Sequence, residues 1–322
     1  MNIRFTLAAA ASLAASLTAL ADVKVNDHLS INGYAVGSWT RTNPDNGKSS
    51  ETFLKSNTFI GNTDAVKMGV LAASGPVSAY GSILYIPSAG STNEAGLLDA
   101  YATYDFGSGV KLTGGKFLSY LGYEAFDAVN MAQLTYGYTI FAVPAYHSGA
   151  RLDYTGKTFT AGLAVVDSIF SGRKGFFEGD REFSDDLGLE AIFTYTGMKD
   201  VTVFAGIASE NTDKSTNEVF IFNLWASYAI TPKVTIAGEF ITQDDGGDGW
   251  LAFLSYKFDS KFSTAFRIST DRRDAGGSDQ KYTVAPTFTV SPNLSFRGEF
   301  SLGRGDNYGD YKFFGVQAVL KF

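Results

Sequence analysis

His28 and His147 are the only imidazoles in the 322 residues. His147 is followed by Ser148, and a serine–histidine pair with an orienting acid is the core of nucleophilic hydrolysis. Neighbours along an extended strand point to opposite faces, however, so Ser148 cannot be the nucleophile of His147. The chain has no cysteine, which removes thiolate nucleophiles, disulfides and thiolate metal sites together. It has no P-loop, no dinucleotide-type glycine fingerprint after a strand and no zinc spacing. The acidic, glycine-rich segments 244–248 and 306–310 could hold Ca²⁺ through their carboxylates, although such loops are usually just solvated. Arg304-Gly305-Asp306 is too short a match to use. What remains is a set of charges at alternate positions of extended segments: Lys67, Asp99, Lys111, Arg151, Asp153, Glu190, Glu239, Lys257, Arg267, Arg297 and Glu299. They form no reaction centre. They can line a wet passage, or they can pair and brace a wall. No catalysis and no cofactor are expected.

The elements that carry these charges read as strands. "LGLEAIFTY" places Leu187, Leu189, Ala191, Phe193 and Tyr195 on one face, against Gly188, Glu190, Ile192 and Thr194 on the other. "FIFNLWASY" and "LSFRGEFSL" behave in the same way, the latter with Ser295, Arg297 and Glu299 opposite Leu294, Phe296 and Phe300. A period of two over about ten residues is strand, not helix. Connections alternate between short turns rich in Gly, Pro, Asp and Asn and long polar loops. Seven short turns and eight long loops predict sixteen strands, with both ends on the short-turn side. Early strands are expected near 29–41, 64–74, 77–86, 97–106, 110–119, 147–155 and 158–167. The segment 64–74 is the least regular, and without it the count would be fourteen.

Composition decides where such strands live. Lys plus Arg is 26 and Asp plus Glu is 33, a net charge of −7 with no basic footprint, so nucleic acid is excluded as a partner. Aromatic residues make up 15%, too many for a disordered chain. Residues 1–21 have one early Arg4, an apolar run and Ala19-Leu20-Ala21, the pattern of a cleaved secretory signal peptide. In 22–322 no stretch is long and apolar enough for a transmembrane helix. Sixteen apolar strand faces need an apolar partner surface, and a soluble β-sandwich would have to supply it from a second apolar set that the chain lacks. Lipid can serve instead if the sheet closes on itself. Tyr104, Tyr154, Tyr195, Tyr228 and Tyr256 precede short turns and Phe159, Phe262 and Phe296 follow them, a common level suited to a membrane–water interface. The reading is all-β: a transmembrane antiparallel up-and-down β-barrel spanning 22–322, its strands long enough to cross tilted.

The chain ends on Phe322, preceded by Leu320, Val316 and Phe314 on the same face. This resembles the C-terminal signature of bacterial outer-membrane proteins read by the barrel-assembly machinery. It implies that machinery and outer-membrane lipid as partners, in a Gram-negative-type bacterium. A sixteen-stranded barrel is too wide for its own side chains to fill. The segment 118–146 is far less polar than the other long connections, and it is expected to fold inward as a constriction. Glu124 and Asp127 would then face basic wall residues among Arg151, Lys257, Arg267 and Arg297, with Tyr123 and Glu299 also lining the passage. Opposed charges across a narrow gap select hydrated ions and polar solutes.

Gly122-Tyr123-Glu124, Asn130, Pro144, His147, Gly149, Arg151 and Tyr154 resemble the core of the OmpL-like β-barrel porins, over about 45 residues. The resemblance implies an outer-membrane porin, with ions and small hydrophilic solutes diffusing passively, and no particular solute. The alternative is a structural or adhesive barrel with a blocked lumen. A barrel enzyme built on His147 is a third. Sequence leaves monomer and homotrimer both open, along with the sign of any ion preference.

Overall fold

The computed structural model describes residues 23–56, 64–87, 93–170, 186–212, 219–244 and 246–322. The expected signal peptide lies outside them. Sixteen wall strands run in chain order. They are β1 Leu29–Pro44, β2 Ala65–Ser74, β3 Val77–Ile86, β4 Glu94–Gly107, β5 Val110–Leu118, β6 Tyr146–Thr155, β7 Phe159–Val166 and β8 Asp186–Tyr195. The second half comprises β9 Val201–Thr212, β10 Val219–Thr231, β11 Val234–Gln243, β12 Gly247–Lys257, β13 Phe262–Arg272, β14 Ser278–Ser291, β15 Leu294–Gly305 and β16 Tyr311–Lys321. Each pairs antiparallel with the next, and β16 pairs antiparallel with β1 through Gln317↔Ser38 and Val319↔Val36, closing the barrel. The segment that read least clearly as a strand is β2, in full register with both β1 and β3. Two short extra strands, Val23–Asn26 and Ser50–Phe53, pair with Leu29–Ile31 and Trp39–Thr42 of β1.

The alternation seen in the sequence is the alternation of the wall. On β8, Leu187, Leu189 and Phe193 are exposed outward while Glu190 is fully buried inward. On β13, Phe266 and Ile268 face out and Arg267 faces in, 1% exposed. An outer surface this apolar has no place in water, and a closed barrel leaves no open strand edge, so it can sit in hydrocarbon. Pro286, on β14, lacks the N–H a ladder needs. Pairing with β15 skips from Val284↔Phe300 to Thr287↔Arg297 there, and Gly298 lies opposite the ring.

The short turns use the chemistry their residues suggest. Gly109 has φ +88°, and a Cβ there would meet the carbonyl oxygen of Thr155 at 2.2 Å. Thr231 Oγ1 accepts from the N–H groups of Lys233 and Val234 at 3.2 and 3.0 Å. Asp259 accepts from the N–H groups of Lys261 and Phe262 at 2.7 and 2.8 Å, and those two bonds hold its carboxyl below the usual range. Aromatic rings gather at this level: Tyr154 with Phe159 at 5.4 Å, and Phe258 with Phe262 at 5.0 Å.

The interior is occupied. The connection between β5 and β6 folds into the barrel and carries two short 3₁₀ turns, Ala128–Asn130 and Tyr138–Ala142. Its Tyr120, Leu121 and Val143 pack on inward-facing Ile192, Phe204, Ile221, Trp225 and Ile241 of β8–β11. Phe204 and Trp225 stack at 5.2 Å with planes 6° apart. The lumen face is thus not uniformly polar as the sequence pattern implies: one arc of it is apolar, and it is the arc that receives the apolar side of the loop.

Candidate functional site

The site is the lumen at the level of that loop. A buried loop carries backbone N–H and C=O groups that must find partners, and here the partners are wall side chains. Ser119 Oγ donates to Glu190 at 2.5 Å and the Tyr120 N–H at 3.3 Å. Further on, the Gly122 N–H donates to Asn223 Oδ1 at 3.0 Å and the Tyr123 N–H to Glu239 at 2.8 Å. Asn223 in turn donates to Glu239 at 3.0 Å. Glu124 forms an ion pair with Arg267 and accepts from the Gly137 N–H at 2.6 Å. Arg267 also donates to the Thr135 carbonyl at 2.8 Å.

On the return path Arg297 donates to the carbonyls of Ala128 and Val129 at 2.8 and 3.1 Å. Glu299 accepts from the N–H groups of Leu134 and Thr135 at 2.7 and 3.0 Å, and from Thr135 Oγ1 at 2.5 Å. Lys281 donates to the Tyr136 carbonyl at 2.9 Å, and the Tyr138 N–H donates to Ser269 Oγ at 3.0 Å. Tyr136 donates its hydroxyl to the Phe126 carbonyl at 2.7 Å. Burial first, then the carboxylates of Asp127 and Glu124, push that phenol far up, so it stays a neutral donor.

Of the residues expected at a constriction, the structure brings Glu124 and Arg267 together, and Arg297 and Glu299 grip the loop backbone. Tyr123 packs its ring on Trp225 at 5.6 Å and Phe253 at 5.8 Å. Asp127 differs from expectation. Its partner is Lys67 at 3.1 Å, with the Tyr34 hydroxyl at 3.2 Å, and not Arg151, Lys257, Arg267 or Arg297. At the turn Ala128–Asn130 the loop reaches the wall at β1–β2, where Lys67 is already paired with Asp99 at 3.0 Å. Arg151 pairs with Asp153 at 3.5 Å and lies over the rings of Phe117 and Tyr120. Lys257 sits at the turn end of β12 and is exposed, away from the loop. Lys111, also inward near the turns, is exposed beside Asp105. At loop level the inward charges Lys67, Glu190, Arg267 and Glu299 are buried. Sequence reasoning missed Tyr34, Asn223, Ser269 and Lys281. The available signal was their place on the wet parity of their strands.

His147 lies inward, its ring edge-on to Phe117 at 5.4 Å and 3.6 Å from Glu190. Neither ring nitrogen has a hydrogen-bond partner among the described residues, and Ser148 instead donates its N–H to Asp167 at 3.0 Å. In the segment 306–310, the N–H groups of Asn307 and Tyr308 and the Asn307 amide all donate to Asp279. Among the described residues no three metal-ligating side chains come together.

The fold is similar to that of solved outer-membrane barrels. Pseudomonas putida OprB superposes with a TM-score of 0.69 at 10% identity, over 92% of this chain and 94% of that one. An anion-selective porin from Comamonas acidovorans gives 0.65 at 11%, over 91% and 99%. Vibrio cholerae OmpT gives 0.58 at 12%, over 94% and 100%. No curated protein matches the chain in sequence. A family model does: the chain belongs to the family described as "Putative beta-barrel porin-2, OmpL-like", matched over residues 61–319. With the closed sixteen-stranded wall, that makes it an outer-membrane porin channel.

Proposed function

We propose that ions and small hydrophilic solutes diffuse passively through this barrel, past the inward-folded loop, without a cofactor and without catalysis. The observation that carries the reading is the set of inward charges gripping the loop, with Glu124 on Arg267 and Asp127 on Lys67 holding it to separate sectors of the wall. A segment held in this way narrows the passage to a fixed size, its anchoring charges largely buried in pairs. Purified protein in planar bilayers should give stepwise ohmic conductance, and Glu124→Gln with Asp127→Asn should alter its size and ion selectivity. Unchanged values in the double variant would remove the loop from the pore.

The remaining parts of the reading concern assembly. A cleaved leader at 1–21 takes the chain out of the cytoplasm, and the barrel-assembly machinery engages the last strand through Phe322. That residue exchanges backbone hydrogen bonds with Gly33 at 2.8 and 2.9 Å. Trp39 and Phe314 form an edge-on pair at 5.9 Å on the outer face of the seam, a surface suited either to lipid or to a second copy in a trimer. The complete burial of Glu190, Asn223 and Phe204 favours a second reading, a barrel whose lumen is shut and whose role is structural or adhesive. Silent bilayers would support it.

A further inference from the structure

At the long-loop mouth of the barrel, a cavity of about 150 Å³ opens between the second 3₁₀ turn of the inward loop and strands β11–β13. We propose that it is a docking subsite for a single neutral sugar ring entering the pore, a proposal that rests on the solute-diffusion reading and names the class of solute.

Three features carry it. The first is an apolar platform. Phe141 lines the cavity and is 43% exposed, although its ring packs on Tyr308 at 5.5 Å and Tyr138 at 6.1 Å. Tyr138 and Tyr308 stack on each other at 5.1 Å, and Arg273 lies over Tyr308 at 5.1 Å, so the platform is rigidly backed. An exposed aromatic face takes the apolar C–H side of a ring.

The second is polarity whose charges are already paired. Arg273 donates from Nε to Asp271 at 3.0 Å and from Nη2 to the Tyr308 hydroxyl at 2.5 Å. Arg272 donates to Asp248 at 2.9 Å through Nε. Asp248, Asp271 and Arg273 line the cavity together with Gln243. The carboxylates are already neutralised, so a zwitterion or an ion would have to break existing pairs. A guanidinium and a carboxylate still offer further donor and acceptor positions when paired, and hydroxyl groups can use both.

The third is room. The wall here is made of Gly247 and Gly249, which contribute no side chain to the cavity. A Cβ on Gly249 would meet the Thr270 carbonyl at 2.7 Å and the Thr139 methyl at 3.4 Å. The volume is well under the roughly 300 Å³ at which pockets for drug-sized ligands begin, which suits a single ring.

The test uses full-length mature protein with D-glucose as the probe and the open-chain polyol sorbitol as control. In bilayers, glucose added on the long-loop side should lower the salt current saturably. Phe141→Ala and Arg273→Gln should each raise the half-saturating concentration at least tenfold, each variant's current being normalised to its own conductance in sugar-free buffer. Equilibrium dialysis of labelled glucose against detergent-purified protein reads binding without any conductance. If bilayers are silent but dialysis shows glucose binding that Phe141→Ala abolishes, the diffusion reading fails and the subsite stands. Absence of saturable glucose binding, equal effects of glucose and sorbitol, or wild-type affinity in both folded variants would overturn the subsite. Retention of heat-modifiable gel mobility verifies folding of the variants.

Discussion

Lys67 and Asp127 meet at 3.1 Å inside the barrel, one from the wall and the other from the loop that fills it. Both are buried, and Lys67 also holds Asp99 at 3.0 Å. Lys67→Met would leave two carboxylates in a confined space with no cation. Breaking a buried pair by removing one partner costs about 3–5 kcal/mol. The urea midpoint of the folded barrel should fall accordingly, and single-channel records should become noisier as the loop loosens. An unchanged midpoint would mean the pair holds nothing.

Glu299 collects two backbone N–H groups and a hydroxyl from Leu134 and Thr135. Glu299→Leu keeps roughly the size but removes both acceptor oxygens. Amide hydrogen exchange at 134 and 135 should accelerate roughly tenfold to a hundredfold, as expected for losing bonds to a charged acceptor. Exchange within strand β15 itself should hardly change, which separates loop release from general unfolding.

Trp225 fills the apolar arc of the lumen, stacked on Phe204 and touched by Tyr123. Truncation to alanine should cost about 3–5 kcal/mol in transfer and cavity terms. It should also widen the passage beside Tyr123. The expected result is a lower denaturation midpoint together with a larger conductance step. A smaller step would mean the loop collapses into the space.

Leu254 points outward from β12, opposite Phe266 of β13. Arginine there should destabilise the barrel in vesicles by about 2–4 kcal/mol if this level lies near the bilayer midplane. Arginine at Ser255, the next residue and on the inner parity, should leave stability nearly unchanged and alter ion preference instead. Equal costs at the two positions would contradict the assignment of faces.

The wall was readable because its rule is local. Each strand repeats every second residue, and each turn is marked by Gly, Pro, Asp or Asn, so β8 or β15 can be recognised without knowing their neighbours. The inward path of the loop was readable from the apolar residues of 118–146. Which wall residue meets which loop residue was not. Asp127 finds Lys67 across 60 positions of chain, and that pairing depends on how the loop turns at Ala128–Asn130. Phe204 and Trp225 stand on the wet parity of adjacent strands, a pair of large rings where alternation predicts polar residues. They marked the arc on which the loop would lie, but only knowledge that β9 and β10 pair in that register makes the two rings one surface.

The seam between β16 and β1 has a consequence in time. The earliest strand to leave the ribosome acquires its second neighbour only when the latest one arrives. Until then two rows of unsatisfied amides and carbonyls stand open, and in an apolar medium each such group is expensive. Contacts so distant along the chain also form slowly. Until that last pairing forms, a wall that is almost complete still cannot be left alone in the bilayer.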